Sequence, residues 1–114
     1  MAECLFCQIV EGTISAKKLY EDDHVVAFDD INPQARVHVL VIPKRHVASL
    51  EDTQDSDAAL LGQLMVVCAK IARERGIVES GYRVVANTGR EAGQTVFHLH
   101  LHVLGGRSFT WPPG

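Results

Sequence analysis

Residues 96–104 read Val96-Phe97-His98-Leu99-His100-Leu101-His102-Val103-Leu104. Three of the six histidines in the chain fall here, alternating with apolar residues. A strict period of two in an apolar setting reads as a β-strand, because successive side chains point to opposite faces. His98, His100 and His102 are expected on one face, with Phe97, Leu99, Leu101 and Val103 on the other, in the core. A lone histidine on a strand is usually structural, but three on one face within five residues mark a place for chemistry. Same-face neighbours stand about 6.6 Å apart, which puts the outer two about 13 Å apart. Zinc–nitrogen bonds are about 2 Å, so one ion does not easily take all three, although adjacent histidines can share one. The pattern suggests a row of separate jobs.

The 114 residues make one domain, 1–114, with enough length for a real core. An apolar fraction of 46% and a charged fraction of 22% are ordinary for a globular protein. The net charge of −3 argues against a nucleic-acid partner. No apolar run approaches a membrane span, so no membrane partner is expected. Met1-Ala2-Glu3-Cys4 lacks the basic start and apolar stretch of a signal peptide, which makes the cytoplasm the expected location. There the three cysteines are not expected to form structural disulfides.

Leu5, Phe6, Ile9 and Val10 have helical spacing, and Gly12 would end that short helix. Cys4 and Cys7, at i and i+3, place two sulfurs where one ion can reach both. A redox pair or two buried thiols are the alternatives. Residues 18–21 and 25–28 read as a hairpin around Asp22-Asp23-His24. A loop follows, broken by Pro33, in which Asp29 or Asp30 can hold a sugar diol. His38-Val39-Leu40-Val41-Ile42-Pro43 is a central, buried strand. Beyond it lies Lys44-Arg45-His46. The one long helix begins near Ala58, is ended by Gly76, and carries a stripe of Ala58, Leu61, Leu64, Met65, Cys68, Ile71 and Ala72. Met65 and Cys68 are expected in the core. Residues 82–87 form a further strand. The loop 88–95, with two glycines, Gln94 and Thr95, can cradle a phosphate beside the histidines.

His98-Leu99-His100-Leu101-His102-Val103-Leu104 resembles in full the signature of the histidine triad (HIT) family, His-φ-His-φ-His-φ-φ with φ apolar. Cys4-x-x-Cys7, Asp30-Ile31-Asn32-Pro33-Gln34-Ala35, His38 with Leu40-Val41-Ile42-Pro43-Lys44, Gly81-Tyr82-Arg83, Gly93-Gln94-Thr95-Val96 and Gly105-Gly106-Arg107 extend the resemblance over nearly the whole chain. The ending Trp111-Pro112-Pro113-Gly114 looks like the Hint branch, the histidine triad nucleotide-binding proteins. Two positions depart from that branch: Thr95 stands where Ser is usual, and Ala92 where Gly is common.

The resemblance implies an α+β fold, a five-stranded antiparallel sheet with one long and one short helix, pairing into ten strands across a homodimer. It implies hydrolysis of purine nucleoside 5′-phosphoramidates and related adenylates, cleaving AMP or GMP from amine or acyl leaving groups. By the family pattern His100 is the nucleophile, His98 and His102 assist it and bind phosphate, and His38 lies nearby. Asn87, Gly93, Gln94 and Thr95 match phosphate-side positions. Phe6, Phe28, Asp30 and Ile31 match the nucleoside pocket. No cofactor is required for catalysis, and a structural zinc on Cys4, Cys7, His46 and His98 is a further expectation. The helix around Leu64, Cys68 and Ile71 is expected to supply part of the dimer interface, with the tail around Trp111 reaching the partner. Dinucleoside polyphosphate hydrolysis and a regulatory nucleotide-binding module are the alternatives.

Overall fold

The run Val37–Pro43 is buried along its whole length, as an apolar strand with neighbours on both sides must be. It is β3 of the computed structural model, which describes residues 4–114; the reading of Met1-Ala2-Glu3 lies outside these residues. β1 (Lys18–Glu21) and β2 (Val25–Asp29) form the expected hairpin. β4 (Tyr82–Val85) and β5 (Leu101–Gly105) complete a five-stranded sheet in the order β1-β2-β3-β5-β4. Every pairing is antiparallel.

Two helices complete the α+β fold. α1 (Leu5–Glu11) is short; the Cys4 sulfur accepts from the Cys7 N–H at its start, and Gly12 ends it with φ 82°. That positive φ is one that glycine adopts without steric cost. α2 (Ala58–Glu74) is the long helix. It packs on one sheet face, joining Leu64, Val67, Cys68 and Ile71 to Val25, Val39, Val41 and Val103. On the other face α1 inserts Phe6 and Ile9 among Val26, Phe28, Leu40 and Ile42. Alternation along β2 and β3 sends successive side chains to the two cores.

Three expectations need correction. Met65 is 53% exposed. The buried stripe instead runs through Leu64, Val67, Cys68 and Ile71, the i, i+3, i+4, i+7 set of a single helix face. Leu64, Cys68 and Ile71 are therefore used by the chain's own core and do not offer a surface to a partner. The third concerns the histidine segment, where the ladder begins only at Leu101. His98 and His100 precede it, where the Leu99 N–H donates to the Val47 carbonyl at 2.6 Å. Outside a ladder, face alternation is not enforced, and Phe97 is 54% exposed rather than in the core. Among the described residues no helix is long and apolar enough to cross a membrane.

Candidate functional site

His100 is buried with its Nδ1 2.7 Å from the His98 carbonyl oxygen. A carbonyl only accepts, so Nδ1 carries the proton and donates it. Nε2 then holds an unshared electron pair, the nucleophilic form of imidazole. The Phe6 ring stands edge-on to His100 with centroids 5.1 Å apart, fixing the plane of the imidazole.

His102 is set by a longer chain of bonds. The Gln34 N–H donates to His38 Nδ1 at 3.0 Å. His38 must therefore carry its proton on Nε2, which lies 2.9 Å from His102 Nδ1. His102 accepts there and presents Nε2–H as a donor. Burial, reinforced by His100 and His38 and opposed by Asp30, pushes His102 down to about 4. Burial also lowers His38, outweighing the opposite pull of Asp30, whose Oδ2 lies 3.4 Å from His38 Nε2. Both rings are thus neutral donors and acceptors near pH 7. His38 projects from β3 and His102 from β5, adjacent strands whose register pairs His102 with Leu40.

His38, His100 and His102 line one cavity of about 640 Å³. Phe6, Phe28, Asp30 and Ile31 line it too, as do Gly93 and Thr95. The lining combines aromatic and aliphatic side chains with imidazoles and loop residues. Ile31 is 95% exposed, an apolar side chain held at the rim with nothing on it. Asp30 Oδ1 accepts from the Asn32 N–H, which shapes the loop that carries Ile31.

Other residues singled out from sequence lie elsewhere. Asn87 and Gln94 are not among the residues that line the cavity. The Gln94 side chain is buried, donates to the Ala48 and Val96 carbonyls, and accepts from the Gly89 N–H. It ties the loop together so that Gly93 and Thr95 face the cavity. His98 is fully buried and reaches the cavity only through its carbonyl oxygen on His100. Gln34, which fixes the His38 proton, lines the cavity; the sequence shows it within the 30–35 motif but gives it no site role. Its signal was its place four residues before His38 in a loop broken by Pro33.

The His98 side chain belongs to a second cluster. Its Nε2–H donates to the Pro43 carbonyl at 2.7 Å, which frees Nδ1 toward the sulfurs of Cys4 at 3.4 Å and Cys7 at 3.5 Å. His46 Nδ1 lies 3.3 Å from the Cys7 sulfur. The four ligand atoms fall within 4.8 Å of one another. Bonds of about 2.3 Å to sulfur and 2.0–2.1 Å to nitrogen give sulfur–nitrogen edges of about 3.5 Å in a tetrahedron. The observed spacings match those edges, and the Pro43 bond is the outer contact that a metal-binding histidine needs. Burial and the neighbouring Cys4 sulfur push the Cys7 thiol up to about 11.

Asp30, His38 and His102 also gather within 4.8 Å. Their protons argue against a cation there: the Gln34 N–H occupies His38 Nδ1, so His38 Nε2 holds a proton where a metal would need a lone pair. The first cluster is a candidate metal site, and the second is a hydrogen-bond chain.

The sequence matches the HIT domain family over residues 11–109. It is 51% identical over 115 residues to an uncharacterised HIT-like protein of Synechocystis sp., covering 100% of each chain. The fold superposes with a TM-score of 0.96 on a HIT family hydrolase from Legionella pneumophila, at 48% identity over 98% of this chain and 100% of that one. A histidine triad nucleotide-binding protein from Candida albicans gives a TM-score of 0.82 at 34% identity, over 98% of this chain and 85% of that one.

Proposed function

The chain belongs to the HIT domain family, and on that premise we propose that it is a hydrolase that cleaves purine nucleoside 5′-phosphoramidates and related adenylates. The observation that carries this reading is the His100 tautomer. Nδ1–H is tied to the His98 carbonyl, so Nε2 is available to a phosphorus in the cavity. Attack forms an Nε2–phosphorus bond and breaks the bond to the leaving nitrogen or acyl oxygen, which departs with its electron pair; a departing amine takes up a proton. Water then attacks the nucleotidyl-histidine, itself a phosphoramidate, and releases the nucleoside monophosphate.

The remaining residues take roles that follow from their contacts. His102 Nε2–H stabilises a non-bridging oxygen as charge develops. Gly93 and Thr95 add backbone and hydroxyl donors, while Phe6, Phe28 and Ile31 enclose the base and Asp30 receives the ribose hydroxyls. Likeness to the Candida albicans nucleotide-binding protein supports the Hint branch. Turnover of adenosine 5′-phosphoramidate, compared with diadenosine polyphosphate, tests the reading. Release of AMP from the first at least tenfold faster is expected, and the opposite preference would reject it.

Zinc on Cys4, Cys7, His46 and His98 is the proposed metal, with a structural role that ties the start of α1 to the sheet and no part in bond cleavage. We also propose a homodimer and a cytoplasmic location. β4 is an open sheet edge, and α2 exposes the apolar Met65 and Val66, both of which a second copy of the chain can cover. Three cysteines with no disulfide among them suit a reducing compartment. A monomer mass in light scattering at micromolar concentration would reject the dimer.

A further inference from the structure

Arg36, Arg83 and Arg107 converge on a cleft of about 650 Å³ at the end of the sheet where β3 and β4 begin and β5 stops. Among the described residues, none of these three guanidiniums takes part in an ion pair. Arg45 and Arg75, by contrast, are paired with Asp57 and Asp29. The chain carries a net charge of −3, yet among the described residues no carboxylate pairs with this cluster.

The arginines are held in place rather than waving in solvent. Arg107 lies over the Phe109 ring at 4.3 Å, and Arg83 lies over the same ring at 5.2 Å. Arg83 Nη2 donates to the Thr110 carbonyl at 3.0 Å. Arg107 donates from Nε to the Gln34 carbonyl at 2.9 Å and from Nη1 to the Ser108 carbonyl at 3.1 Å. Arg36 packs on Gly106, where a Cβ would come within 2.8 Å of the Arg36 Cβ and 2.9 Å of its Nε. Each guanidinium has five N–H donors in a fixed fork, and these carbonyls use few of them.

Three preorganised like charges around one concave space raise the energy of the empty cleft and favour an anion in it. We infer that the cleft binds a phosphate-class oxyanion, either free or carried on the far end of a leaving group in the catalytic cavity. Gln34 makes the second source geometrically feasible. Its N–H meets His38 and its carbonyl meets Arg107. One residue separates the two bonds, so Arg107 Nε lies within about 10 Å of His38 Nδ1.

The substrate arm rests on the nucleotidyl-hydrolase reading; the binding arm does not. The test uses the full chain with Arg36→Gln and Arg83→Gln, single and combined. Inorganic pyrophosphate is titrated by calorimetry at low salt, with the catalytic cavity saturated by AMP. Wild-type protein is expected to bind about one pyrophosphate per chain, and the double variant at least about tenfold more weakly. Turnover of unsubstituted adenosine phosphoramidate should be unchanged in both. If a phosphoramidate with a terminal phosphate on its amine loses about tenfold in kcat/KM in the variant, the oxyanion arrives on the leaving group. If only pyrophosphate binding is lost, the ligand is free. Equal pyrophosphate affinity in the two proteins, complete displacement by AMP, or variants that alter only the oligomeric mass would each overturn the inference.

Discussion

His38 and His102 share a single hydrogen bond, 2.9 Å from Nε2 of the first to Nδ1 of the second. Its direction is imposed from outside the pair by the Gln34 N–H on His38 Nδ1. The catalytic proposal depends on that direction, because only then does His102 present Nε2–H to a phosphoryl oxygen. Replacing His38 by Ala removes the donor and leaves His102 free to take either tautomer. The expected outcome is a fall in kcat of at least about 10-fold, up to the roughly 10²- to 10³-fold that losing one oxyanion donor costs. KM should change less than threefold, and the far-ultraviolet circular dichroism should stay the same. Steady-state kinetics on adenosine phosphoramidate check this.

The same pair makes stability depend on pH. Burial holds His102 down at about 4 and lowers His38, against an ordinary value of 6.5. Below pH 6.5 the unfolded chain takes up protons that the folded chain refuses, so stability falls as pH drops toward 4. The stabilisation is fully present above 6.5. Thermal melts at pH 7, 6 and 5 should show a progressive decrease in Tm. The decrease should be shallower in His102→Asn, which has no group to titrate.

Gly105 lies in β5 between Val37 and Tyr82 with the buried Ile77 pressed against it. A Cβ there would meet Ile77 Cδ1 at 2.6 Å and its Cβ and Cγ2 at 3.0 Å. Gly105→Ala should destabilise by about 1–3 kcal/mol, the usual cost of overpacking. Combining it with Ile77→Val removes the closest of those contacts, and the double variant should cost less than the sum of the two singles. Urea unfolding checks both. Equal midpoints for Gly105→Ala and wild type would show that the strand shifts freely.

The HIT signature made the histidine strand visible because side-chain period survives in sequence whatever packs around it. It did not show that His98 leaves the row. That separation comes from where the β5 ladder begins, a matter of pairing with Val37–Val41 and not of local pattern. By spacing alone His46 was the last of three polar residues after Pro43, and only the family resemblance grouped it with Cys4, Cys7 and His98; the fold brings it 3.3 Å from the Cys7 sulfur. Gln34 acts through its backbone, so its side-chain identity carried no signal. Arg36, Arg83 and Arg107 come from three separated segments, and no spacing rule joins them. Met65 was misplaced because a helical stripe two turns wide admits either it or Val67, and only the sheet surface selects between them.

Zinc removal should be felt as lost stability before lost chemistry. The cluster joins Cys4 and Cys7 near α1 to His46 and His98 near the sheet, and Phe6 on α1 orients His100. Protein purified without chelators should contain close to one zinc per chain. Chelation should lower Tm by at least about 5 °C, as expected when a ligand bound only by the folded state is withdrawn. Cys7→Ser should match the chelated protein and respond little to added zinc. A zinc content below about 0.2 per chain would reject the site.

The last prediction concerns the covalent step. His100 alone combines a proton-bearing Nδ1 tied to a carbonyl with a place on the cavity wall beside His102. His98 is fully buried with its Nδ1 beside two sulfurs, and His102 has its Nδ1 engaged by His38. His100→Ala should therefore lower activity by at least about 10³-fold, of the order seen when a nucleophile is removed. Nucleotide affinity should change far less, because Phe6, Asp30 and Ile31 remain. A reaction with adenosine phosphoramidate, quenched in base, should yield an AMP adduct on the peptide holding His100, identified by fragmentation in the mass spectrometer. An adduct on His98 or His102, or near-normal turnover in His100→Ala, would show that a different imidazole attacks.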